Sequence, residues 1–432
     1  LTFVVPNTFL AGAIVYGLAV IFRSTIVSFV GTMVMLVLYG ISQGYTRDLE
    51  QEWLANILDP FGGQPFSIVT KYWTTDERNL LAVPLEGDLL MNRLLWIGVG
   101  AVIIGATFLL FDTTQRKRRT ARTVDTAPEA TSRPDAVPMR TFATPERARP
   151  LPTLLHLVRF EFAALVKNRP FLTIVLIGLI NLVASSTTFT DSYGGTKFPV
   201  TYELVNQIVG SFYLFIVGII AFYSGVIIWR ERDARIAEIV DATPVRTGLV
   251  VASKVIAFVA GIAVVLASTI PVAIAIQLAN GYTDVDLAQY VIRLLVVDTL
   301  GFAYLIIAAL LIQALLNNRY LGYFAFVALL VVNVFVWSMV DVGTLMVRFG
   351  STPSFTFSDM NRWGPFVESQ IWFNVYWSSV SLLLAALVFA LWQRGRGSGV
   401  GVRMREATQR LRSRTLVLSA GVVLFVMIGG WV

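Results

Sequence analysis

The sequence predicts an all-α fold, a polytopic bundle of transmembrane helices. Hydrophobic residues make up 56% of the 432-residue chain and charged residues 14%, at a mean hydropathy of +0.70. A soluble domain typically carries about 25% charged residues. Apolar runs of roughly 20 residues, enough to cross a hydrocarbon core about 30 Å thick, recur along the chain. Because these runs are continuous and do not alternate with polar residues, helices are favoured over barrel strands.

Ten apolar runs are long enough to be transmembrane spans. Hydropathy places their ends to within a few residues. The predicted spans cover residues 3–22, 25–45, 93–111, 170–188, 204–228, 249–279, 288–316, 320–341, 372–392 and 415–432.

Charges in the connecting loops predict sidedness. Residues 115–119 read QRKRR, and 394–414 contain seven arginines against one acidic residue, as is typical of cytoplasmic loops. Residues 46–92 carry eight acidic residues against three basic ones and are therefore expected outside. Counting spans from these anchors gives the remaining sides: 113–168 and 229–247 inside, 342–371 outside.

Two related halves are predicted on either side of a linker rich in Pro, Thr, Ala and Arg. The order of span, basic turn, span, outer loop and closing span occurs in 3–111 and again in 288–392. The first half has three spans and the second has six, so the chain is expected to be a fragment of a longer polypeptide. The predicted organisation is: 1–112, the end of a truncated first half with outer loop 46–92; 113–150, a flexible cytoplasmic linker; 151–393, a complete second half; 394–414, a basic cytoplasmic segment; and 415–432, an exit span.

Such weak internal symmetry is typical of transporters, whose substrate path tends to lie between repeats. A duplicated membrane scaffold without transport is the alternative. The start of the second half, 151–168, has His156, Arg159 and Lys167 on one helical side and apolar residues opposite. This pattern predicts a helix along the inner membrane surface.

The stretch WRERDARIAEIVDATPV lies between two predicted spans and predicts a compact charged helix over 229–247. Thr243-Pro244 would end it, because the residue before proline avoids the helical conformation. A soluble partner is expected to bind this helix; the alternative is a turn whose charges only fix topology. The charged candidates are Arg230, Glu231, Arg232, Asp233, Arg235, Glu238 and Asp241.

Asp298 is the best candidate for a functional ionisable residue within a predicted span. Asp298 is about ten residues into 288–316, and a charge buried in lipid has a functional role by default. Arg293 precedes it by five residues, about 140° around an α-helix, so the two are not expected to pair. Asp298 would either face a polar pathway or hydrogen-bond to a neighbouring helix while Arg293 reaches the interface.

Several kinds of chemistry have no residues to support them. No lysine follows a glycine, which excludes the Gly-Lys-Ser/Thr of a P-loop, and a single histidine excludes an HExxH zinc motif. The absence of cysteine excludes thiolate metal sites and cysteine nucleophiles. The basic residues lie beside spans, so membrane topology accounts for them and a nucleic-acid partner is not expected.

The 229–245 stretch, the outer motifs LDPFGGQPF and TKYWT, the NRLLW that opens the third span and the repeat layout together resemble one family. They are similar to type 2 ABC (ABC-2) exporter permeases, in particular bacterial permeases fused to an M1-type aminopeptidase domain. The resemblance implies a multi-pass protein of the bacterial cytoplasmic membrane, surrounded by lipid. It also implies that 229–247 is a coupling helix docking on a separate ATPase subunit, where ATP would bind, and that 151–168 is the elbow helix.

The resemblance also sets the alternatives. No cofactor is expected in this chain, and zinc would belong to a peptidase domain that these residues lack. The first function is that of an ATPase-driven permease, for which a homodimer is one of the assemblies left open. The alternative is a platform that holds an extracytoplasmic M1-type zinc aminopeptidase and transports nothing itself. A third possibility is an ion-coupled carrier centred on Asp298.

Overall fold

The computed structural model describes residues 2–23, 25–46, 52–111, 149–186, 198–316 and 318–392, with 405, 407–410, 421 and 425. The predicted linker up to residue 148 lies outside the described residues, as do most of 394–414 and all of the predicted span 415–432 except residues 421 and 425. Within the described ranges the fold is all-α, and its one β feature is an isolated bridge between Ser358 and Arg362.

The helices follow the apolar runs of the sequence. Their bounds are α1 Val4–Phe22, α2 Thr25–Thr46, α3 Glu52–Leu58, α4 Gly63–Val69, α5 Thr75–Leu80, α6 Gly87–Leu110, α7 Pro150–Val166, α8 Arg169–Ser186, α9 Thr201–Asp233, α10 Ala237–Asp241, α11 Thr247–Ala279, α12 Leu287–Tyr290, π1 Val291–Asp298, α13 Thr299–Leu315, α14 Arg319–Met339 and α15 Phe366–Leu391.

Eight helical segments in the described part of the chain are long and apolar enough to cross a membrane. They confirm eight of the predicted spans and a multi-pass membrane protein, with α12, π1 and α13 forming one continuous segment. The predicted span 25–45 corresponds to α2, whose apolar part, Val27–Gly40, is shorter than the others.

The chain divides into two compact units, Leu1–Arg147 and Ala148–Val432. In the first unit α1 packs on α2 and α6, and the short helices α3 and α4 cover the start of α6. Helix α5 begins at Thr74 with a reciprocal capping box to Glu77. The backbone N–H of Thr74 donates to the Glu77 carboxylate at 2.7 Å, which lowers the pKa of Glu77.

In the second unit, polar contacts gather at the two ends of the helices. At one end Arg319 of α14 pairs with Asp233 of α9 at 2.5 Å. At the opposite end of α9, Thr201 accepts a hydrogen bond from Gln277 of α11 at 3.1 Å. The segment 229–247, predicted to be cytoplasmic, and the turn before Arg319 therefore lie at the same end of this unit.

The predicted charged helix over 229–247 forms two helical pieces. Helix α9 continues to Asp233 and ends in a Schellman motif. The backbone N–H of Arg235 donates to the Arg232 carbonyl and that of Ile236 to the Glu231 carbonyl, both at 3.0 Å. Arg235 has a left-handed conformation with φ of 57°, which breaks the helix. The five-residue helix α10 follows before the chain enters α11.

Candidate functional site

Lys254 is the centre of a buried charge network at the end of the second unit that carries α10. Its side chain is 2% exposed, and its Nζ donates to Glu161 at 3.0 Å, Glu231 at 2.9 Å and the Ile227 carbonyl at 3.1 Å. Arg230 adds a second cation on Glu161 at 2.8 Å. Two cations and two carboxylates thus neutralise each other, as buried charges require.

Three helices contribute to this network. Glu161 is on α7, Arg230 and Glu231 form part of the last turn of α9, and Lys254 is in the second turn of α11. Glu161 is buried among the apolar positions of α7, which packs along α11. The arrangement joins α7 and two spans directly beneath the 234–246 segment.

The residues of the predicted coupling segment divide into two groups. Arg230, Glu231 and Asp233 form ion pairs within the unit, and the Arg232 guanidinium lies over the Trp229 ring at 5.0 Å. We call the segment 234–246 the tip; within it Arg235 and Glu238 are exposed and Asp241 is partly buried. Ile239 is also exposed there, at 71%. The tip therefore presents both charged and apolar side chains.

Asp298 lies in the membrane-spanning segment and pairs with Arg293. Arg293 Nε is 3.3 Å from Asp298 Oδ2, and Arg293 Nη1 donates to the Phe355 carbonyl at 2.6 Å. The prediction that these residues are poorly placed to pair was wrong. It assumed α-helical geometry, whereas π1 has i→i+5 hydrogen bonds that bring residues five apart to the same side.

In the first unit the motif pieces DPFGG and NRLLW come together around Arg93, which is 2% exposed. Arg93 donates to the side-chain oxygen of Asn7 at 2.8 Å and to the Phe61 carbonyl at 3.1 Å. Gly62 has φ of 77° and lies against the guanidinium, so a Cβ there would overlap Arg93. These motif residues fix the shape of the loop between α2 and α6.

Glu161 and Lys254 were not predicted from the sequence. Lys254 falls within the predicted span 249–279, near its start, so the rule that selected Asp298 also applies to it. Glu161 falls between Val158 and Leu165 on the apolar side of α7, where a carboxylate is out of pattern. Their separation of 93 residues gave no signal that they would pair.

Among the described residues, no group of three or more side chains of the usual metal-ligating types lies close enough together to hold an ion. Comparison of the chain with protein-family models, curated proteins and solved structures found no match. The likeness to ABC-2 permeases therefore rests on the sequence motifs alone.

Proposed function

We propose that this chain is the membrane-spanning part of an ABC-2 type permease, driven by a separate ATPase subunit and located in a bacterial cytoplasmic membrane. The observation that supports the proposal is the network of Glu161, Arg230, Glu231 and Lys254. It joins α7 to the ends of α9 and α11, the two helices that carry the tip, so that force applied to the tip would reach two spans at once. A rigid connection of this kind is what an ATPase needs to move a membrane domain.

The geometry refines which charged residues would serve the ATPase. Arg230, Glu231 and Asp233 would hold the tip in place through their ion pairs. Arg235 and Glu238, which are exposed, would contact the partner together with Ile239. An interface that combines an apolar centre with charged neighbours is typical of specific protein contacts.

The test uses the full-length protein, purified from its native host with its bound subunits. Arg235→Glu is expected to reduce retention of the ATPase at least about tenfold, which corresponds to about 1.4 kcal/mol of binding free energy. Arg159→Glu, a charge reversal at an exposed site on α7, is the matched control and should retain the ATPase. Equal retention in the two variants, or a purified complex without any ATPase, contradicts the proposal.

Sidedness can be tested separately because the chain has no cysteine. A single cysteine at Arg235 should react with a membrane-impermeant maleimide in inside-out vesicles, and one at Asp76 should react in intact spheroplasts. The reverse pattern would place the tip outside the cell, where no ATP-driven subunit operates.

A further inference from the structure

A groove of about 690 Å³ runs along the second unit between α9, π1, α13, α14 and α15, and the 348–355 segment covers one of its ends. This volume lies within the range of about 300–1,000 Å³ found for ligand sites. The Arg293–Asp298 pair forms part of its wall. No step of the proposed coupling uses this groove.

The lining of the groove changes from polar to apolar along its length. Arg348, Asn333 and Gln370 lie near the 348–355 segment, at the end where α9 and the 287–315 span begin. Further along these helices the lining residues are Val217 and Leu305. A ligand with a polar head and an apolar chain matches this gradient.

Four buried polar atoms of the groove lining make no hydrogen bond within the described residues. Two of them, Arg293 Nε and Asp298 Oδ2, face each other as an ion pair at 3.3 Å, and the other two are Gln370 Oε1 and Arg348 Nε. Gln370 is 4% exposed, and its Nε2 donates to Thr352 Oγ1 at 3.3 Å, an orientation in which Oε1 is the acceptor left over. Leaving such atoms unpaired is unfavourable, and partners supplied by a ligand would remove the penalty.

The charges specify the kind of head group. Asp298 is neutralised by Arg293, whereas Arg348 has one long hydrogen bond, from Nη2 to the Val342 carbonyl at 3.4 Å. The polar end therefore carries a net positive charge and an unpaired N–H donor, which suit a phosphate oxygen. Gln370 Oε1 would accept a hydrogen bond from a hydroxyl group of the ligand.

The open side of the groove is apolar. Tyr213 of α9 and Val334 and Phe335 of α14 are all exposed there. In a membrane these side chains face acyl chains, so a ligand could enter from the bilayer without crossing water.

We propose that this groove binds a membrane phospholipid whose head group carries a phosphate and a free hydroxyl, of the phosphatidylglycerol type. The phosphate lies on Arg348, the hydroxyl donates to Gln370 Oε1, and an acyl chain follows the apolar lining toward Leu305. This inference concerns binding and goes beyond the proposed function, because it holds whether or not the lipid is transported.

The test measures binding to the full-length protein in phosphatidylcholine nanodiscs, with fluorescent phosphatidylglycerol and phosphatidylcholine as probes. Phosphatidylglycerol should bind at least about tenfold more tightly. Arg348→Gln should abolish this preference, whereas Arg362→Gln, the same charge loss in the same connecting segment, should keep it. Phosphatidylmethanol, which is anionic but lacks the hydroxyl, should bind more weakly to the wild type and equally to wild type and Gln370→Leu.

If Arg348→Gln fails to fold, Val334→Trp provides a second test. It narrows the groove without changing its charge and should weaken phosphatidylglycerol binding.

Three results would overturn the proposal. They are equal binding of the two lipids by the wild type, complete competition by inorganic phosphate, and occupation of the groove by a second copy, seen as a change of oligomeric state in Val334→Trp with unchanged lipid affinity.

Discussion

Arg93 in the first unit and Lys254 in the second are equally buried cations, but they are held in opposite ways. Arg93 donates to neutral oxygens, from Asn7 and Asn92 and the carbonyls of the DPFGG loop. Lys254 contacts two carboxylates. The carboxylate nearest Arg93 in the motif, Asp59, instead accepts from the backbone N–H groups of Phe61 and Gln64.

The difference assigns distinct roles to the two sites. The carbonyls that surround Arg93 come from one short loop, so this cation fixes the shape of a loop. The partners of Lys254 come from helices 23 and 93 residues away, so this cation joins α7, α9 and α11. A neutral cage holds one segment in place, whereas a balanced charge cluster connects elements that could move relative to one another.

The largest expected effect is that of Lys254→Met. It removes the cation of Glu231, whose side chain is 21% exposed, and one of the two cations on buried Glu161, and it should lower the free energy of unfolding by about 3–5 kcal/mol. Denaturant unfolding in detergent micelles measures the loss, with Lys167→Met, an exposed lysine at the end of α7, as the control. Adding Glu231→Gln should recover about 1–3 kcal/mol; no recovery would mean that the charges are not coupled.

Arg93→Gln should have a smaller and more local effect. Hydrogen bonds to a charged donor contribute about 1.5–3 kcal/mol each, and glutamine would replace part of them, so a net loss of about 2–3 kcal/mol is expected. Hydrogen exchange should increase in 56–66 while α1 and α6 stay protected. Exposed Arg78, which makes one hydrogen bond to the Thr70 carbonyl at 3.2 Å, provides the control Arg78→Gln. Loss of protection throughout the unit would refute the loop-fixing role.

Asp233→Asn should have the smallest effect and lower the free energy of unfolding by about 0.2–1 kcal/mol. Its ion pair with Arg319 is nevertheless shorter than the two ion pairs of Lys254. Both side chains are partly exposed, at 53% and 33%, so solvent screens the pair. The same unfolding measurement would show whether the degree of burial determines how much each ion pair contributes to the free energy of unfolding. A loss as large as that of Lys254→Met would show that burial does not.

The spans could be predicted because each is one continuous apolar run, and hydropathy needs no tertiary information. The Glu161–Lys254 pair could not, since nothing local specifies a contact across 93 residues. The Arg293–Asp298 prediction failed for a different reason: periodicity arguments assume 3.6 residues per turn, and π1 departs from that value. The left-handed Arg235 likewise has no sequence signal, because glycine is the residue expected there.

The oxygens of the DPFGG loop that accept hydrogen bonds from Arg93 are the backbone carbonyls of Pro60 and Phe61. A residue of any type has a backbone carbonyl. Positions 60 and 61 can therefore change identity during evolution and still supply the same ligands. Gly62 cannot, because any side chain would meet the guanidinium. We therefore expect distant relatives to share Asp59, Gly62 and the Asn92-Arg93 pair, while the residue types at positions 60 and 61 vary.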